Sequence, residues 1–207
     1  MKICDKAEVA SFCIGIGAPS TTIFTLKDVI KRVFDDGFQA LENNRIASKK
    51  DRDTLDRCLS CSCLTNQKIG NVWCVDNDVW SKESDRAHWG AEKPSADFFV
   101  LLKDNESRFI QFVEAKLGIV SGGQEKRPRH PRPQELYDKY DWSVKRIGIG
   151  SVVIGSLIVL FSNSVIEKMK NRFSRYNREN HRIKIKCMCT ESYLEGFEQG
   201  SINHFCE

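Results

Sequence analysis

Asp97, Glu114 and Lys116 stand at the ends of two apolar runs, ADFFVLL and RFIQFVEAK, where the interior of a strand would exclude charge. Two carboxylates and an ammonium in such surroundings are costly unless each finds a partner. Two acids brought together also repel one another. A divalent cation answers both problems, because Mg²⁺ takes oxygen ligands, typically one or two carboxylates with water and a substrate phosphate. The residue types point to a divalent-cation site, on condition that the fold brings the acids to one place.

That condition can be examined from the pattern alone. The segment KDNES between the runs has turn chemistry, and both runs are rich in Phe, Val, Leu and Ile. A hairpin turning at Asn105 pairs residues whose numbers sum to about 210 or 211, which sets Asp97 opposite Val113 or Glu114. Side chains alternate along a strand, so Glu114 and Lys116 share one face with Ala115 between them. The acids are therefore expected at the open end of the hairpin, away from its turn.

The elements around the hairpin are read from periodicity. TLKDVIKRVFDDGFQALENN opens with Thr25 as an N-cap, and Leu26, Val29, Ile30, Val33 and Phe34 follow helical spacing. RIASKKDRDTLDRCLSCSC is expected to continue as helix, and NVWCVDNDVW as a strand and turn. After a Gly- and Pro-rich loop, QELYDKYDWSVKRI predicts a helix, SLIVLFS a buried strand, NSVIEKMKNRFSRYN a helix and RIKIKCMC an alternating strand. The order helix, three strands, helix, strand predicts an α/β fold with a central mixed β-sheet flanked by helices. We expect one domain over residues 1–207, with a core over 26–162 and a basic C-terminal helix and strand over 163–190.

This constellation resembles the PD-(D/E)XK nuclease superfamily, through PSAD ending at Asp97, EAK from Glu114 to Lys116, and a helix ahead of the strands. Pro94 lies three residues before Asp97. The resemblance implies a restriction-endonuclease-like fold and hydrolysis of DNA, with RNA as a further possible substrate. It implies that Asp97 and Glu114 bind Mg²⁺ or Mn²⁺ with the Ala115 carbonyl as a third oxygen, and that Lys116 orients or activates the attacking water. Many members carry an acid on the first helix; here Glu42 is the choice, with Asp36 behind it. Gln134 and Tyr137 are similar to a Gln and Tyr of RecB-like members, whose spacing is one residue longer, and this makes Gln134 a candidate phosphate contact. A homodimer is one way in which such enzymes cut both strands.

Charge is spread unevenly. The net charge of +4 is mild, but GGQEKRPRHPRPQ concentrates Lys126, Arg127, Arg129 and Arg132 against Glu125 directly after the expected catalytic strand. Lys168 to Lys186 is more basic still, and on a helix Lys168, Arg172 and Arg175 share a face. A charge run is ordinarily a solvated face; two of them beside a phosphodiester site suit a nucleic-acid backbone.

The nine cysteines, an odd number, do not read as a disulfide framework, and Asp5 and Glu8 fall where a signal peptide would be positive. An intracellular, cytoplasmic protein is expected. CLSCSC groups Cys58, Cys61 and Cys63, with Cys74 further on and Cys187 and Cys189 apart. Buried reduced thiols are the plain reading; structural zinc or an iron–sulfur cluster is the other. The rival function is accordingly a non-catalytic nucleic-acid-binding module with zinc on the cysteines. Ile147 to Ile166 carries no charge, but its strongly apolar part spans only Val152 to Phe161. A buried helix end and strand, rather than a membrane span, are expected there.

Overall fold

The computed structural model describes residues 1–43, 67–82, 95–105, 107–115, 133–148, 152–154, 157–161, 166–179 and 185–199, and for some of these, Glu42, Lys168 and Arg172 among them, it describes the backbone alone. Its centre is a mixed sheet of eight strands. Strands β2 (Ile23–Thr25), β3 (Trp73–Asp76), β4 (Phe98–Asp104) and β5 (Ser107–Ala115) run antiparallel in that order. β7 (Leu157–Phe161) then lies parallel to β5, and β8 (Ile185–Cys189) parallel to β7. Two short strands complete it: β1 (Lys2–Ile3) against the far end of β4, and β6 (Val152–Ile154) alongside the start of β5.

Helices cover both faces because the strands are apolar on both. Phe98, Val100 and Leu102 enter one core with α2 (Leu26–Asn43), α3 (Gln67–Gly70) and α7 (Thr190–Gln199). Phe99, Leu101, Ile110 and Phe112 enter the other, with α1 (Lys6–Ile16), α5 (Pro133–Ile147) and α6 (Ile166–Glu179). Continuous rather than alternating apolar runs in β4 and β5 are the consequence of that double cover. Phe99 lies edge-on to both Phe12 and Phe112, at centroid distances of 6.2 and 5.8 Å.

Local chemistry sets the ends of these elements. Asp5 caps α1 by accepting from the Glu8 amide, and the Glu8 carboxylate accepts in turn from the Asp5 amide, so the two acids seen near the start of the chain form a capping box. Gly17, at φ 72°, closes that helix in the left-handed conformation. The expected Thr25 cap of α2 is present: its hydroxyl accepts from the Asp28 amide at 3.2 Å and donates to the Asp28 carboxylate at 2.6 Å. α5 begins on Pro133, carries Lys145 and Arg146 in its last turn, and ends at Gly148 with φ 72°. Asn177 on α6 bonds both backbone groups of Ile185 and thereby fixes where β8 begins.

One expectation is revised and one helix is added. NVWCVDNDVW forms β3, but the predicted turn after it is helical over residues 77–82, which we call α4. Asp76 caps that helix through Val79 N at 3.0 Å, and a side chain that caps serves a helix as readily as a turn. α7, for which the sequence pattern carried no expectation, buries Tyr193, Leu194 and Phe197. The apolar stretch from Ile147 runs from a helix end into β6 and β7, and among the described residues no helix is long and apolar enough to cross a membrane.

Candidate active site

The hairpin register pairs Phe98 with Val113 and Asp104 with Ser107, and Asn105 adopts φ 47° in the turn. Asp97 is consequently the next position opposite Glu114. Strand alternation puts Glu114 on the face of Ile110 and Phe112, beneath α5. Asp97 sits just ahead of β4, and its Oδ2 accepts a 2.6 Å hydrogen bond from the Ala115 amide. The carboxylate is thereby held against the peptide that joins Glu114 to Ala115. Both acids are deeply buried, Glu114 completely.

The cation beside Glu114 comes from an unexpected element. Lys139, on α5, places Nζ 2.6 Å from Glu114 Oε1. Burial alone would lower the pKa of this ammonium, but Glu114, Asp97 and Asp78 outweigh it and hold the lysine above its ordinary range. Asp78, on α4, lies near enough to interact electrostatically with the same group. Its own pKa is raised, first by burial and further by Glu114, against the opposing pull of Lys139. Glu114 is thus the direct partner of the ammonium, and Asp97 and Asp78 add their negative fields to it.

A neutral network braces this rim. Ser143 lies one turn beyond Lys139 on α5; its hydroxyl accepts from the Ala96 amide at 2.9 Å and donates to the Lys139 carbonyl at 2.8 Å. The Asn77 amide donates to the Asp97 carbonyl at 2.9 Å, and its side chain reaches Ser143 at 3.5 Å. Across the sheet, buried Asp76 pairs with Arg32 of α2. The hairpin rim, α4 and α5 are therefore fastened together by groups immediately adjoining Asp97.

The donor chemistry suits a hard divalent ion. Asp97 and Glu114 supply anionic oxygens at one spot, which Mg²⁺ or Mn²⁺ favours over nitrogen or sulfur. The Lys139 contact demonstrates that this spot attracts positive charge. Among the described residues no group of three or more His, Cys, Asp and Glu side chains is close enough together to hold a metal by itself. A divalent ion here would have two protein carboxylates and would complete its shell with water and backbone oxygen.

The remaining candidates lie elsewhere or outside the described residues. Lys116 and the loop residues Lys126, Arg127, Arg129 and Arg132 lie outside the described residues, as do Cys58, Cys61 and Cys63. Glu42 lies in the last turn of α2, a helix that packs on the opposite face of the sheet from Glu114. Asp36 is exposed on the same helix. Gln134 is exposed and donates to Asp138 Oδ1 at 2.9 Å, within its own helix. Lys168, Arg172 and Arg175 lie on α6, where Arg175 is exposed and Met169 and Phe173 make the buried stripe. Of the cysteines, Cys4, Cys13 and Cys74 are buried free thiols, while Cys187 and Cys189 are half-buried.

Lys139, Asp78, Ser143 and Asn77 were not among the residues expected from sequence. Lys139 did leave a signal. It stands three residues after buried Leu136 and four before buried Ser143, on the inward stripe of an amphipathic helix where a lysine has no place without a partner.

Comparison with protein-family models, curated proteins and solved structures finds no significant match to this chain.

Proposed function

We propose that this protein is a metal-dependent nuclease that hydrolyses phosphodiester bonds in DNA, built on a restriction-endonuclease-like version of the observed α/β fold. The observation that carries the reading is the hydrogen bond from the Ala115 amide to Asp97, which brings an acid from one strand end against the Glu114–Ala115 peptide of the next. Two further features agree with it. A helix, α2, precedes the adjacent strands that carry Asp97 and Glu114 at their ends, in keeping with the PSAD and EAK resemblance. The oxygen donors at the rim match the hard cations such enzymes use.

In this reading Asp97 and Glu114 hold Mg²⁺ or Mn²⁺, and Ala115 contributes its carbonyl oxygen. The ion, when bound, lowers the pKa of a water and stabilises the charge that builds on phosphate oxygens. Lys116 orients the attacking water and balances phosphate charge. Water adds across one P–O ester bond, leaving a phosphate monoester and an alcohol. Lys126, Arg127, Arg129 and Arg132, with the α6 cations, contact the DNA backbone.

The test is cleavage of plasmid and linear DNA with Mg²⁺ or Mn²⁺. Glu114→Ala and Lys116→Ala should each lower the rate by about 100-fold or more, on the scale typical for losing an electrostatic group that acts in the transition state. Circular dichroism should show both variants folded. Undiminished cleavage by both would reject the site.

A further inference from the structure

Lys139 has no role in the reaction just described, yet its ammonium occupies the electrostatic centre of the site. It reaches Glu114 Oε1 at 2.6 Å from a helix that Ser143 ties to the hairpin rim. The side chain is about a quarter exposed, whereas that of Glu114 is fully buried. The lysine can therefore swing towards solvent, while the glutamate cannot follow. A buried carboxylate deprived of a counter-charge is strongly unfavourable, so loss of the ammonium favours entry of another cation beside Glu114.

We infer that Lys139 is an intramolecular competitor for the cation site: its ammonium holds Glu114 in the metal-free protein, and a divalent ion binds by displacing it. The inference rests on the nuclease reading for the presence of a metal, and assigns Lys139 a positioning role through Glu114. Metal affinity is then reduced by the fraction of molecules in which the lysine occupies the acid, since only the remainder are competent to bind. Glu114 is in direct contact with the lysine, and Asp97 and Asp78 add their negative fields to that contact.

The experiment measures Mn²⁺ binding to the metal-free full-length chain by calorimetry, without DNA. Lys139→Met should bind Mn²⁺ about tenfold more tightly than the unmodified protein or better, because the competitor is gone. Lys139→Arg keeps a cation and should not show the gain. Metal-free Lys139→Met should also melt at a lower temperature than the unmodified protein, and Mn²⁺ should raise its melting point further than it raises that of the unmodified chain. A lysine with a purely structural role would give a destabilised variant with unchanged or weaker Mn²⁺ binding, and that result overturns the inference.

Should Lys139→Met fail to fold, the unmodified protein supplies the decision. Acetylation of Lys139, followed by mass spectrometry, should be slow without metal and several-fold faster at saturating Mn²⁺; equal rates overturn the inference. Failure of the nuclease reading looks different. If neither the unmodified protein nor Lys139→Met binds Mn²⁺, the cation site itself is rejected, and the competitor role falls with it. If the unmodified protein binds Mn²⁺ but Lys139→Met binds no better, only the role of Lys139 is rejected.

Discussion

Asp97 Oδ2 and the amide of Ala115 are 2.6 Å apart, in a hydrogen bond between residues that open one strand and close the next. It satisfies a buried N–H at the end of β5, fixes the carboxylate beside Glu114, and locks the register that makes the two acids neighbours. One bond thus serves both the fold and the proposed chemistry, and the two contributions can be separated by substitution.

Asp97→Ala strands the Ala115 amide and should destabilise the protein by about 1–3 kcal/mol, the usual cost of leaving a buried donor unsatisfied. Asp97→Asn retains an acceptor oxygen and should recover most of that loss in urea denaturation. DNA cleavage should fail in both, because the neutral amide does not replace a carboxylate on a divalent ion. Cleavage by Asp97→Asn at the unmodified rate would separate Asp97 from the metal.

On the opposite face, Tyr193 of α7 donates to Gln111 Oε1 at 2.9 Å in a fully buried setting. Tyr193→Phe should cost about 1–2 kcal/mol by leaving Gln111 without its donor, whereas adding Gln111→Leu should return much of that stability, since removing both partners together is close to neutral. A double-mutant cycle in urea gives the coupling. Cleavage should be unchanged throughout, because the pair lies away from the acids; a loss of activity comparable to that of Glu114→Ala would contradict this.

The Glu8–Lys103 pair joins α1 to the far end of β4 and carries a pH signature. The hydrogen bond from Lys103, helped by the Asp5 amide, holds the Glu8 carboxyl below its ordinary pKa. The bond to Glu8 likewise raises Lys103. A lowered acid contributes stability above its unfolded pKa and loses it as pH falls through the folded value. A raised lysine contributes below its unfolded pKa and loses it as pH rises through the folded value. The difference in melting temperature between the unmodified protein and Lys103→Met should therefore be greatest between about pH 5 and pH 10 and shrink on either side. Both groups are near solvent, so the effect should be modest and weaken in salt.

Burial pushes the thiols of Cys4 and Cys13 up to about 11 and that of Cys187 up to about 12, and raises Cys74 further. At pH 8 these four should resist alkylation by iodoacetamide in native buffer and react once the chain is unfolded in urea, as mass spectrometry of the labelled peptides would show. Rapid native labelling of Cys74 would contradict its complete burial in β3.

The hairpin was legible because its information is local. Two apolar runs, a KDNES turn and a period of two suffice to oppose Asp97 and Glu114, and the structure has that register. The α2, α5 and α6 helices and the β7 and β8 strands followed from periodicity for the same reason, as did the Thr25 cap. The helix after β3 was misread as a turn because Asp and Asn residues signal either, and only packing against α5 distinguishes them. Tyr193 and its helix were missed because an apolar face of ten residues becomes a helix only when a sheet is present to receive it.

What the sequence determined by itself is therefore which residues could carry charge into an apolar hairpin, and which strand ends they occupy. The tertiary structure decided which cation meets them. Lys139 lies 25 residues from Glu114 along the chain, and Asp78 lies on a different helix again; no local period connects the three. Their convergence depends on α5 crossing the face of β5 with its lysine pointed inward, where low polarity makes any buried charge seek the nearest opposite one.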